Sequence, residues 1–171
     1  RLSAVSDDLD RAMFWMSLWN MVQHAELGVV EYAELALTHL PRERNFQVLT
    51  KVVETLYGRR LNSNSVLRYL AADEGPAARQ YARLAGRLEE FFWGQLEKAQ
   101  PGSDPQKLWL DAFLRVARSP ESHAKLARLL AGELTLPGLP LDQDRRWSAV
   151  AQLNRHAAPA SRERIAAELK R

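Results

Sequence analysis

His24 and Glu26 close the densest apolar run of the chain, "RAMFWMSLWNMVQHAELG" from Arg11 to Gly28. An imidazole beside a carboxylate is the raw material of a zinc site or an acid–base pair, so their spacing decides whether either is possible. Two residues apart on a helix places side chains on opposite sides, whereas a helical zinc site needs histidines at i and i+4, as in His-Glu-x-x-His. The four histidines, His24, His39, His123 and His156, include no such pair, and catalytic zinc requires three convergent protein ligands. The chain has no cysteine, which removes thiolate ligands, disulfides and thiol nucleophiles. It has neither a Gly-x-Ser-x-Gly elbow nor a glycine loop that could cradle phosphate. These residues supply no catalytic group, no metal site and no cofactor site.

The elements that must position any side chain are helical. Phe46, Leu49, Val52, Val53, Leu56 and Tyr57 repeat at helical spacing, and so do Tyr81, Leu84, Ala85, Leu88, Phe92 and Leu96. Leu108, Ala112, Phe113, Val116 and Ala117 form a further stripe, and Leu126, Leu129 and Leu130 a shorter one. Ser6 followed by Asp7 and Asp8 reads as a cap with acids at the positive helix end. Ser103-Asp104-Pro105-Gln106 has capping-box spacing, and Ser119-Pro120 and Asp142 open helices in the same way. Gly28, Gly58, Gly75, Gly102 and Gly132 stand near helix ends, and "LTLPGLPL" (Leu134–Leu141) is the proline-rich connection. Helices are expected near 7–25, 29–40, 45–59, 63–72, 76–100, 104–118, 120–132, 142–157 and 160–171. Short connections make neighbours antiparallel, and the spacing gives pairs of roughly 35–40 residues, the size of HEAT-like repeats. The expected fold is therefore all-α, antiparallel helix pairs in a HEAT/armadillo-like curved array (an α–α superhelix), with residues 1–171 forming a single helical domain.

The apolar run itself, Ala12 to Val22, is too short for a bilayer, which needs about twenty residues. On a helical wheel Asp10, Ser17, Asn20 and His24 share one narrow stripe, while Trp15, Met16, Leu18, Trp19 and Val22 cover most of the remainder. A helix apolar over most of its circumference is expected in an inner layer, enclosed on several sides. Trp15, Trp19, Trp93 and Trp109 are read as core rather than as a peptide groove. The net charge of +3 is accounted for by Leu141–Arg171, which holds 7 Lys/Arg against 4 Asp/Glu. That excess is small beside the basic face of a nucleic-acid binder. No nucleic acid and no membrane is expected as a partner. The start at Arg1 and the uncapped helical ending point to a fragment of a longer polypeptide.

Three stretches carry a resemblance. "MFWMSLWNMVQHAELGVVEYAELALTHLP" (Met13–Pro41), "PGSDPQKLWLDAFLRVARSPESHAKLARLLAGE" (Pro101–Glu133) and "PGLPLDQDRRWSAVAQL" (Pro137–Leu153) resemble, in order, the C-terminal helical domain of aminopeptidase N-type zinc peptidases, bacterial members most of all. Asn20, His24 and Arg145 depart from the family's pattern. The family's His-Glu-x-x-His and Gly-x-Met-Glu-Asn motifs, which lie in an upstream domain, are absent here.

The resemblance implies the non-catalytic end of a cytoplasmic zinc-dependent aminopeptidase that removes N-terminal residues from peptides. Zinc would sit in the missing catalytic domain, and that domain and the peptide substrates would be the partners. This end would enclose the active-site chamber and gate peptide access. Arg146, with Asp144 and Asp142, is then a substrate-channel candidate, because a planar guanidinium can grip peptide carbonyls or a terminal carboxylate. The other reading pairs Arg146 with Asp142 or Asp144 as local support, with Trp147 as a core anchor. Glu89, Glu90 and Glu97 either attract a peptide α-amine or form a solvated face, the latter being the default. The basic end, Arg155–Arg171, either docks on an acidic neighbour or is plain surface. The alternative function is a freestanding HEAT-like protein- or peptide-binding scaffold.

Overall fold

The computed structural model describes residues 5–58, 64–72, 74–156 and 160–170. Among these the chain is all-α, with nine helices, one short 3-10 turn and no strand. The helices are α1 (Asp8–Gln23), α2 (Val29–His39), α3 (Phe46–Tyr57), α4 (Val66–Tyr69), α5 (Gly75–Lys98), α6 (Asp104–Val116), α7 (Pro120–Ala131), α8 (Gln143–Arg155) and α9 (Ser161–Leu169), with the 3-10 turn at Leu40–Arg42. The expected helix positions at 59, 63, 157 and 171 lie outside the described residues. Two compact units divide the chain, Arg1–Ala85 and Gly86–Arg171, with the boundary inside α5.

Local chemistry sets the helix starts. Asp7, one residue later than the expected Ser6, accepts the amides of Leu9 at 2.8 Å and Asp10 at 3.0 Å. Asn45, Ser103, Ser119 and Asp142 cap α3, α6, α7 and α8, each meeting amides that a helix leaves without partners. The expected capping box at Ser103 is half formed. Ser103 Oγ accepts the Gln106 amide, but the Gln106 side chain reaches Gly102 N at 2.6 Å and also donates to Pro137 O at 3.2 Å. That glutamine, buried in the fold, ties the Pro101-Gly102 turn to Pro137-Gly138. A Cβ on Gly138, which has φ +70°, would stand 2.6 Å from Gly102 N, so only glycine permits this approach.

In the first unit α1 packs on α2 and α3, α3 on α4, and α2 on α4. Val48, Leu49, Val52, Val53 and Leu56 of α3 and Tyr32, Ala33 and Ala36 of α2 are buried. Gly28 caps the start of α2 at φ −65° instead of ending α1, because Ala25 takes the left-handed conformation there at φ 60°. The expected 63–72 helix is observed as the single turn Val66–Tyr69.

The enclosed, inner-layer position expected for α1 is not what the structure shows. Only Trp15 and Val22 are buried. Trp15 meets Tyr32 edge-on at 5.7 Å, and Trp19 is half-buried between Tyr32 at 5.2 Å and Tyr69 at 5.7 Å. Leu9, Met13, Phe14, Met16 and Met21 are exposed together with the polar stripe. The reason is geometric: α2 and α3 approach α1 from one side, and the described residues provide nothing for its other side.

In the second unit α8 packs against α6, α7 and α9. Phe92 and Trp93 from α5 meet Trp109 and Phe113 from α6, with Leu96 also buried: Trp109 stacks on Phe92 at 6.0 Å, and Trp93 tilts on Phe113 at 4.9 Å. Trp15, Trp93 and Trp109 are thus core, and helices two apart touch in both units (α1 with α3, α6 with α8), as in a layered helical array.

Candidate functional site

Asp142, Asp144 and Arg146 stand at the start of α8. Asp142 is the N-cap, accepting the Arg145 amide at 2.8 Å. The local ion pair expected of Arg146 is made by its neighbour instead. Arg145 meets Asp142 through Nη1 and grips Asp111 of α6 with Nε at 2.7 Å and Nη2 at 3.1 Å. Arg146 turns to a carboxylate 22 residues away. Its Nε and Nη2 each bond Glu168 of α9 at 2.7 Å, and Nη2 also donates to Leu130 O at 3.1 Å near the end of α7. Only 13% of the Arg146 side chain and 6% of the Glu168 side chain is exposed. Glu168 strengthens Arg146's hold on its proton, and Asp111 does the same for Arg145. Arg146 therefore acts as a bidentate clamp joining α7, α8 and α9. Asp144 is exposed in the first turn of α8, and Trp147 is partly buried.

The acidic residues of α5 separate. Glu90 is exposed, and Glu97 accepts Trp93 Nε1 at 2.7 Å. Glu89 belongs to neither of its expected roles, because it is buried with 3% exposure. Its carboxylate accepts Arg118 N at 3.0 Å, Ser119 N at 3.2 Å, Ser119 Oγ and, at 2.6 Å, Ser122 Oγ. A negative charge there faces the N-terminus of α7, where helix amides and dipole favour it. Sequence held a signal for this: Ala85, Phe92 and Leu96 stand at i−4, i+3 and i+7 from Glu89, which places it within the core stripe.

His24 caps the end of α1, with Nδ1 2.8 Å from Asn20 O, and Glu26 is exposed. His123 and His156, 33 residues apart, have ring centroids 5.6 Å from each other. Burial and the positive neighbours Arg118, His123 and Arg155 push the His156 imidazole below its ordinary range, with Glu89 opposing. Two imidazoles among arginines do not suit a dication. Among the described residues no group of three His, Cys, Asp or Glu stands ready for a metal, so the described residues do not fit zinc. Among them, too, no helix is long and apolar enough to cross a membrane.

Beside the open side of α1 runs a groove of about 530 Å³, with Leu9, Trp15, Met16 and Trp19 of α1 facing Val48 and Val52 of α3. Arg11, on the same helix, meets Glu43 through Nε at 3.1 Å and Nη2 at 3.0 Å, pairs with Asp8, and donates to Val5 O and Ser6 O.

A family model described as ERAP1-like C-terminal domain matches residues 1–171. A relative, "Aminopeptidase N" of Streptomyces lividans, is 34% identical over 152 residues, which is 89% of this chain and 16% of that protein. The chain thus spans about a sixth of that relative's length. With its full length matched and an all-helical fold among the described residues, the chain belongs to the ERAP1-like C-terminal domain family, the C-terminal helical domain of aminopeptidase N-type enzymes.

Proposed function

We propose that this chain is the non-catalytic end of a zinc-dependent aminopeptidase, where it encloses the active-site chamber and gates the entry of peptides. The observation that carries the reading is the family match over the whole chain, joined by a relative that bears the name aminopeptidase. In this reading zinc is held by an upstream domain of the same polypeptide, and this chain excludes water and limits which peptides reach it. The parent enzyme works in the cytoplasm, which cell fractionation tests. Arg146 and Asp142 act by fixing α8. Asp144, exposed on the same turn, is the channel candidate whose carboxylate can meet a peptide amine.

Two measurements test the reading. The full-length gene should encode His-Glu-x-x-His upstream, and its product should hydrolyse aminoacyl-p-nitroanilides while the 171-residue chain alone does not. A gene without that motif overturns the proposal and leaves the scaffold reading. For gating, kcat/KM should be compared between tripeptides and long peptides in the full-length enzyme and in a form lacking this domain. Loss of discrimination by length is expected, and an unchanged ratio removes the gate.

A further inference from the structure

Every methionine in the chain, Met13, Met16 and Met21, lies on α1. All three are exposed, at 57%, 59% and 37%, as are Leu9 at 69% and Phe14 at 51%. At helical spacing these five side chains, with Ser17 and Asn20, fall within an arc of about 160°. Asp10 is the only formal charge on that arc, because Arg11, the other charge of the run from Leu9 to His24, is turned to Glu43. A solvated helix looks different. The exposed positions of α7 are Pro120, Glu121, Arg128 and small alanines. Charge depletion together with large apolar groups is the composition of an interface core.

We propose that the open face of α1 and the groove it shares with α3 form the docking surface for an upstream part of the same polypeptide, one that presents an apolar, charge-poor surface. This rests on the reading of the chain as one end of a longer aminopeptidase, and the relative's length gives that reading ample polypeptide to supply the occupant. The chemistry favours a permanent occupant over a passing one. Interfaces that never open are the more hydrophobic class, and a tethered surface is present at high effective concentration. A substrate peptide, by contrast, would leave five large apolar side chains in water after every turnover. Methionines suit the role, because an unbranched thioether adapts to an irregular opposing surface.

The methionines are also the probe. Peroxide oxidises exposed thioethers, and the sites are separable by mass spectrometry in the full-length enzyme. Met13 and Met16 should oxidise about ten-fold or more slowly than free methionine, at every protein concentration and with or without peptide. Oxidation at the free rate overturns the proposal. So does protection that grows with protein concentration, which assigns the face to a second copy, or protection that needs added peptide, which assigns it to substrate. As a second readout in the same enzyme, Met16→Asp should lower the melting temperature while Met16→Leu does not. Equal melting of the two variants would also overturn it. A gene without His-Glu-x-x-His would sink the aminopeptidase reading while leaving the protection of these methionines a separate result.

Discussion

Helices α1 and α6 both carry tryptophan among leucine and other apolar residues, yet the fold treats them in opposite ways. In α6, Leu108, Trp109, Leu110, Ala112, Phe113, Leu114 and Val116 are all buried, and both α5 and α8 pack on it. In α1 the apolar content is higher, but Trp15 and Val22 alone are buried. Apolar content reports how much of a helix is covered in the finished molecule. Burial reports how much of that cover these residues themselves provide. The gap between the two in α1 is unspent hydrophobic surface.

The largest test of that contrast is tryptophan truncation. Trp109, with 4% exposure, is enclosed by Phe91 and Phe92, so Trp109→Ala should destabilise the chain by about 3–5 kcal/mol in denaturant unfolding. Trp19 is half-buried against Tyr32 and Tyr69. Its truncation should cost about 2 kcal/mol, since only part of its area leaves water. Equal costs would mean that α1 is as enclosed as α6.

Next in size are the buried ionic nodes beside α6. Glu89→Ala leaves the amides of Arg118 and Ser119 and the Ser122 hydroxyl without their acceptor, which should cost about 3 kcal/mol. Arg146→Ala removes the bidentate partner of Glu168 in a nearly closed site and should cost about 2 kcal/mol. In a double-mutant cycle with Glu168→Ala the two losses should be strongly non-additive. Additive losses would show that the clamp carries no coupling energy.

What sequence made legible follows from the range of each interaction. Ser103, Ser119 and Asp142 were readable as caps because a cap is satisfied within three residues. The stripes of α3, α5 and α6 were readable because helical period alone selects them. Glu168 for Arg146, Ser122 for Glu89 and His123 for His156 stand 22 to 33 residues away, and no local pattern encodes such a pairing. Arg145 and Arg146 show the limit directly: adjacent and chemically identical, they pair with Asp111 and Glu168 according to the direction each projects from α8. For α1 the wheel separated Trp15 and Val22 from the polar stripe correctly, but periodicity cannot say which neighbours are present. Of the channel candidates, sequence placed all three at the start of α8, and only coordinates could separate the clamped Arg146 from the exposed Asp144.

A smaller effect comes from pH. The His156 imidazole lies below its ordinary value of 6.5 through burial first, then through Arg118, His123 and Arg155, with Glu89 opposing. The unfolded chain therefore binds this proton more readily than the fold does. The stability tied to the neutral ring is complete above pH 6.5 and is lost as pH falls through the folded-state value. Melting followed from pH 8 to pH 5 should decline over that window, and His156→Gln should flatten the decline. An identical profile in the variant would assign the decline to other groups.

The smallest expected effect separates α1 from α6 most cleanly. Within the 171-residue chain Met16 is 59% exposed, so Met16→Gln removes little buried area and should change stability by no more than about 0.5 kcal/mol. Leu110→Gln, at a site with no exposure, would by the same measure cost several kcal/mol, since it places an unpaired amide in the core. Near-silence of Met16→Gln in this chain, set against a loss for Met16→Asp in the full-length enzyme, would locate the cover of α1 outside these 171 residues. A large loss already in the 171-residue chain would instead mean that α1 finds its second neighbour within this sequence, and the contrast with α6 would disappear.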